Sequence, residues 1–396
     1  MHRRIESAMT MMTDPRHFKL RLFIEGNIIG VATGMVIALF RYLLELSEEY
    51  LPVLYRWLPE HIVWIPVWFL ALFLCSWVLY RIVRKDGMTS GSGIPQIKGI
   101  LLGEMDMNWA RVLVLKFTGA VLGIGAGMSL GREGPSVQLG ACLGQGLGRL
   151  THRSYAESHY LLTAGAGAGL AAAFNAPLAG VIFCLEELTK NVSAFVLMGA
   201  ISAAVTATTV TQYVFGMQPV FHMGVVPVID TGHMYFLLIL LGAFVGLLGL
   251  AFNPMLTRSQ DFYKKVPARW RPVVPLFCAG VLGFVLPQIL GGGSRLVDSL
   301  VVTDYTLAFL VLLLAAKFLF TMVCFGSGVP GGIFLPMLVL GSVGGAVFAK
   351  VAIFFQWMPE LFAVNCIVFG MAAYFSAVVK SPITGSILIM EMTGSF

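Results

Sequence analysis

Charge is what this chain has least of. Only 12% of its 396 residues are Asp, Glu, Lys or Arg, about half the share usual in soluble domains, while 58% are hydrophobic. That balance excludes a soluble globular core of this size. Paired cysteines are also lacking. Cys75, Cys142, Cys184, Cys278, Cys324 and Cys366 fall one per apolar tract, with no histidine in register, which excludes a disulfide framework or a zinc site and leaves them as packing residues. Residues 1–21 are polar and basic and contain no short apolar run ending in a small-residue cleavage site, so a cleaved signal peptide is not expected. No cofactor and no metal is expected.

What is present is apolar length. Residues 62–80 carry no charge and suffice for one membrane crossing, and further tracts follow at 192–215, 234–256, 273–290 and 307–325. In a bilayer, backbone groups must be satisfied internally, so the expected fold is all-α and polytopic. The net charge of +6 is more informative about orientation than about partners, because basic residues in short loops stay on the cytoplasmic side. Arg3, Arg4, Arg16 and Lys19, with Arg21 just beyond, place the N-terminal arm (1–19) inside, and Arg81, Arg84 and Lys85 place the loop after the second tract there too. Between them an external loop is expected to hold Glu48, Glu49, Arg56 and Glu60. Arg258, Lys264, Lys265, Arg269 and Arg271 read as a cytoplasmic connector, not a nucleic-acid surface.

The sequence also repeats itself. Residues 172–187 resemble residues 377–392, with proline, glycine and a terminal glutamate in matching places. About forty residues upstream in each half, 131–144 overlays 332–345, with Pro135 on Pro336 and Gly140 on Gly341. This divides the chain into repeats at 20–215 and 230–396. Duplicated halves with Gly/Pro-interrupted helices in corresponding positions point to a transport site at the repeat interface.

Three interruptions carry the chemistry: GSGIP (91–95), GREGP (131–135) and GGIFLP (331–336). In each, glycine permits a tight backbone and proline sits where an opening helix needs no amide donor. The free N–H groups of a helix start carry partial positive charge, so several converging starts can hold a dehydrated anion without a full cation that would trap it. Ser92 can add a hydroxyl donor, whereas Ile333 and Phe334 would contribute backbone amides. Glu133, a charge at membrane depth, marks a functional site by default. At a site built for anions its carboxylate is a tethered substitute for the anion, closing the path when ionised and leaving when protonated.

These three motifs, in this order and spacing, resemble the CLC chloride channel and transporter family, and the likeness runs from about residue 20 to the end. It implies a homodimer in the cell membrane, the inner membrane of a bacterium, with one anion pathway per subunit and inverted repeats of broken, tilted helices. It implies anion ligands at Ser92, Gly93, Ile94, Ile333 and Phe334, a gating glutamate facing outside at Glu133, and electrostatic support from Lys116 and Arg132. Glu187 aligns with the internal proton-transfer glutamate of the family's exchangers, a position that channel members commonly fill with an apolar residue. One of Glu186 and Glu187 is expected to be structural. Proton-coupled chloride antiport is therefore the expected function, with a passive voltage-gated-type chloride channel as the alternative. A fluoride/proton antiporter is disfavoured by Ser92. An intramembrane serine hydrolase, suggested by G-x-S-x-G around Ser129, lacks a histidine base in reach, because His2, His17, His61, His152, His159, His222 and His233 lie in the terminal arm or near tract ends.

Two departures matter. Some exchangers read PEIEG after the serine, whereas here Pro95-Gln96-Ile97-Lys98-Gly99 puts a lysine where a carboxylate assists inner proton entry. The resemblance also implies further helices beyond Phe396 bearing a tyrosine that contacts the anion from inside, and no counterpart lies within these residues.

Overall fold

The computed structural model describes residues 15–190, 193–229 and 232–395. Arg3, Arg4 and His2 of the arm, Val192 at the start of its tract and position 230 lie outside the described residues. Most of the described chain is helical: α1 Pro15–Trp57, α2 Trp64–Lys85, α3 Ile94–Leu101, α4 Trp109–Gly125, α5 Glu133–Leu150, α6 Tyr155–Phe174, α7 Pro177–Phe183, α8 Ala194–Phe215, α9 Gly232–Lys265, α10 Val273–Val285, α11 Ser294–Val302, α12 Leu307–Gly326, α13 Phe334–Phe354, α14 Ala363–Val379 and α15 Pro382–Thr393. Among the described residues, eight helices are long and apolar enough to cross a membrane.

Both the buried and the exposed faces of the long helices are apolar. On α1, Leu20, Phe23, Ile24, Ile28, Val31, Met35 and Leu39 form an exposed stripe at helical spacing, while Leu22, Ile29, Ile37 and Phe40 are buried. Hydrophobic area cannot drive association within lipid, so close packing of small residues has to. Gly26, Gly30 and Gly34 let α1 lie directly on Ser202, Ala203, Thr206 and Val210 of α8. The overlay of Gly140 on Gly341 has the same meaning. Gly140 packs against Gly165 across α5 and α6, and Gly341 against Gly370 across α13 and α14.

The two repeats are related by an approximate two-fold. The equivalent residues Gly131 and Gly332 form an antiparallel bridge, each amide donating to the other's carbonyl at 2.7 Å. Non-helical backbone at this depth is tolerated only where it is paired inside protein. Accordingly Gly331 N donates to Gly91 O at 3.0 Å and Gly91 N to Gly328 O at 3.3 Å, and Gly291 N donates to Gly127 O at 3.0 Å in the mirrored place.

Several sequence expectations need correction. Glu48, Glu49 and Arg56 are not in a loop; they belong to α1, a 43-residue helix that continues through Pro52, and only Glu60 lies in the short 3₁₀ turn Leu58–Glu60. Charge at a helix end near a membrane surface mimics a loop in sequence. Arg258, Lys264 and Lys265 likewise belong to α9, which extends past 256 to Lys265. The tract at 273–290 ends as a helix at Val285, because Pro287 opens a 3₁₀ turn.

Candidate functional site

Three helix starts meet at the two-fold. A Cβ on Gly134 would stand 2.7 Å from the Ser92 carbonyl oxygen, so the first turn of α5 rests directly on the residue preceding α3. A Cβ on Gly332 would stand 2.9 Å from Gly134 N and 3.1 Å from Glu133 Oε2, which brings the approach to α13 against the same turn. Gly93 has to be glycine for two reasons: its φ is +94°, and a Cβ there would collide with Gln138 Oε1 at 2.3 Å. Pro95, Pro135 and Pro336 occupy the first turns of α3, α5 and α13, where the missing amide costs nothing.

Glu133 lies at this junction with no exposed surface. Neither of its carboxylate oxygens makes a complete hydrogen bond among the described residues, though the amides of Glu133, Leu335 and Arg132 face it. A buried, unpartnered carboxylate is costly, by several kcal/mol when ionised, and it points at helix starts suited to an anion. Leu335 was not among the residues read from sequence; its amide is a second-position amide of α13 and carries no side-chain signal. Arg132 does not pair with its neighbour. Its Nη1 reaches Glu45 Oε1 at 3.4 Å.

Ser92 Oγ accepts from Ile94 N at 3.3 Å, which leaves its hydroxyl proton free to donate elsewhere. Phe334 packs its ring edge-on to Phe375 and Phe183, at centroid distances of 4.9 and 6.2 Å, and Ile333 is half-buried beside it. Lys116 is fully buried, but its ammonium is committed to the loop before Ser92, donating to Thr89 O at 3.0 Å and Gly91 O at 2.6 Å. Lys317 of α12 makes the equivalent bonds, to Ile289 O at 2.9 Å and Gly291 O at 2.8 Å. The duplication, which sets α12 opposite α4, was the signal that could have revealed it.

Glu187 belongs to a different group. It sits in the π turn Cys184–Thr189 that ends α7; Lys98 Nζ donates to its Oε1 at 2.5 Å and Ser381 Oγ to its Oε2 at 2.8 Å. Glu186 reaches the next residues of the same segment. It accepts from Ile383 N, Thr384 N and Thr384 Oγ1 at 3.3, 2.6 and 2.6 Å, capping the start of α15. Glu391, its equivalent in the second repeat, caps α7 through Leu178 N and Ala179 N at 3.1 and 2.7 Å. Each half thus closes the other's broken helix. Ser129 is buried with its hydroxyl 2.8 Å from that of Thr321, a hydroxyl and not a base.

The chain matches known proteins along almost its whole length. The sequence profile described as Voltage gated chloride channel covers residues 70–396. The chain is 36% identical over 392 residues to the H(+)/Cl(-) exchange transporter ClcA of Vibrio cholerae, spanning 93% of this chain and 81% of that protein. It is 35% identical over 395 residues to the ClcA of Vibrio parahaemolyticus, spanning 95% and 82%. Among solved structures it resembles a slow cyanobacterial Cl-/H+ antiporter, with TM-score 0.88 and 29% identity over 94% of this chain and 89% of that one. A CLC-type fluoride/proton antiporter shares the fold, with TM-score 0.80 and 24% identity over 95% and 91%.

Proposed function

This chain belongs to the voltage-gated chloride channel family, and we propose that it is a proton-coupled chloride antiporter in which Glu133 exchanges places with the transported anion. The observation that carries this reading is the fully buried Glu133 carboxylate, lying against the starts of α5 and α13 with no complete hydrogen bond among the described residues. An ionised carboxylate held there occupies the position an anion would take, and protonation cancels its attraction to the helix-start amides. Chloride then enters between the Ser92 hydroxyl and the backbone of Gly93, Ile94, Ile333 and Phe334. Lys116 acts by fixing the loop that carries Ser92, and Arg132 by drawing anions to the mouth.

Protons need a second carrier, because a path rimmed by helix starts and basic side chains admits anions only. Glu187 is that carrier. Its pairing with Lys98 and Ser381 fixes the carboxylate in one orientation at the end of α7. Glu186 serves the fold, since both of its oxygens are spent on α15. The functional repeats are 20–215 and 230–396, and the working protein is a homodimer. The N-terminus is cytoplasmic and the host membrane is the cell membrane. Arg84 of α2 and Arg271 line one cavity of about 360 Å³, so the basic ends of two separate spans share a face, as the charge bias of inner loops requires.

Liposomes containing the purified protein test the reading. An imposed chloride gradient should drive protons uphill, and chloride flux without proton movement would make the protein a channel instead.

A further inference from the structure

Beside Glu133 lies a cluster of charge that the exchange of proton for chloride does not by itself require. Arg41 sits in the middle of α1 and Arg132 immediately precedes Glu133, and both are more than nine-tenths buried. Their guanidinium groups share a single counter-ion oxygen. Arg41 Nη2 reaches Glu45 Oε1 at 3.3 Å and Arg132 Nη1 reaches the same atom at 3.4 Å. Aromatic rings cover them from other sides: Arg41 stands 4.2 Å from the Phe215 centroid and Arg132 5.9 Å from that of Phe174. Arg41 makes one further bond, to Ala172 O at 3.3 Å. The Nε of each arginine is buried with no hydrogen-bond partner among the described residues.

Two cations therefore face one carboxylate, with a surplus positive charge and two N–H donors unspent. Buried donors are normally paired, and a guanidinium holds its planar donor set for oxyanions and halides alike. Glu45 is the one member with a substantially exposed side chain, at 40%, and both of its ion pairs are long. We propose that Arg41, Arg132 and Glu45 form a docking site for a small monovalent anion, chloride foremost, from which it passes to the position held by Glu133. Glu45 is the site's own competitor. It keeps the two arginines together when no anion is present, and an arriving anion takes over the Nε donors and the surplus charge. The passage to Glu133 rests on the antiport reading above; the docking does not.

The test is chloride transport across bilayers holding the protein in one orientation, with chloride varied only on the face bearing Glu45. Glu45→Gln should lower the half-saturating chloride on that face about threefold and Arg41→Gln should raise it about fivefold, with neither shifting half-saturation on the opposite face. An unchanged value in Glu45→Gln, or equal shifts on both faces, would reduce the cluster to a structural staple. Glu45 is partly exposed, so its variant keeps the proposal falsifiable if Arg41→Gln does not fold. Absence of proton movement in the unmutated protein would overturn the antiport reading and leave this chloride dependence to be judged on its own.

Discussion

The two halves of the molecule place the same backbone in the same places and put different side chains on it. Gly91 and Gly93 have φ of +62° and +94°, and Gly291 and Gly293 have +62° and +95°. Each loop is gripped by one buried lysine, and each half ends in a glutamate that caps the other's broken helix. Position by position, Ser92 is replaced by Gly292, Glu133 by Phe334 and Glu187 by Met392. In the first half Ser92 abuts Gly134, 2.7 Å from a would-be Cβ; in the second, Leu335, at the equivalent position, fills the space beside Gly292 at 2.5 Å from a would-be Cβ. What is repeated builds the scaffold, and what differs between the halves carries the chemistry.

The lysines give the strongest test of that division. If both are staples, Lys116→Met and Lys317→Met should destabilise alike, since each strands two buried carbonyls at about 1–3 kcal/mol apiece. Thermal unfolding in detergent measures this. A silent Lys317→Met beside a defective Lys116→Met would mean that the first lysine acts on the anion and not on the loop.

The reciprocal caps come next. Glu186→Gln and Glu391→Gln should each cost about 1–2 kcal/mol in the same assay, through a weakened cap and a lost charge at a helix start, while proton coupling survives in both. Loss of coupling in Glu186→Gln at normal stability would move that residue into the proton path.

Ser92→Pro sharpens the comparison at the loop itself. It removes a hydroxyl donor that suits a compact anion, and competition fluxes should shift from chloride toward nitrate by roughly fivefold, about 1 kcal/mol or the worth of one hydrogen bond. An unchanged preference would exclude Ser92 from the pathway. Lys98→Met should have the smallest effect. The pair it breaks is partly exposed and so worth little, and proton flux should change about twofold with chloride flux nearly intact.

Much of this was legible in the sequence, because glycine and proline punctuate broken helices and a duplication exposes equivalent positions. The three interrupted segments, the crossing glycines 140 and 341 and the structural place of one of the Glu186–Glu187 pair all have sequence signals. Lys317 had one as well, in its alignment with Lys116, but it lies in a tract so apolar that it read as a plain span. Arg41 and Glu45 had none. Single charges in a long helix look like a surface, and only the three-dimensional meeting of α1 with the start of α5 gathers them around Arg132. The Leu335 amide is invisible for a different reason, since every residue has one and position alone gives it meaning.

Within the duplicated segments Glu133 and Glu187 are the acidic residues without acidic counterparts, and in the proposed mechanism they divide the work of coupling. Parallel chloride and proton fluxes in liposomes of the unmutated protein, Glu133→Gln and Glu187→Gln test it most directly. Coupled flux is expected in the first, chloride flux without protons or pH dependence in the second, and chloride flux still gated by outer pH but without protons in the third. Proton transport at the unmutated ratio in either variant would contradict it.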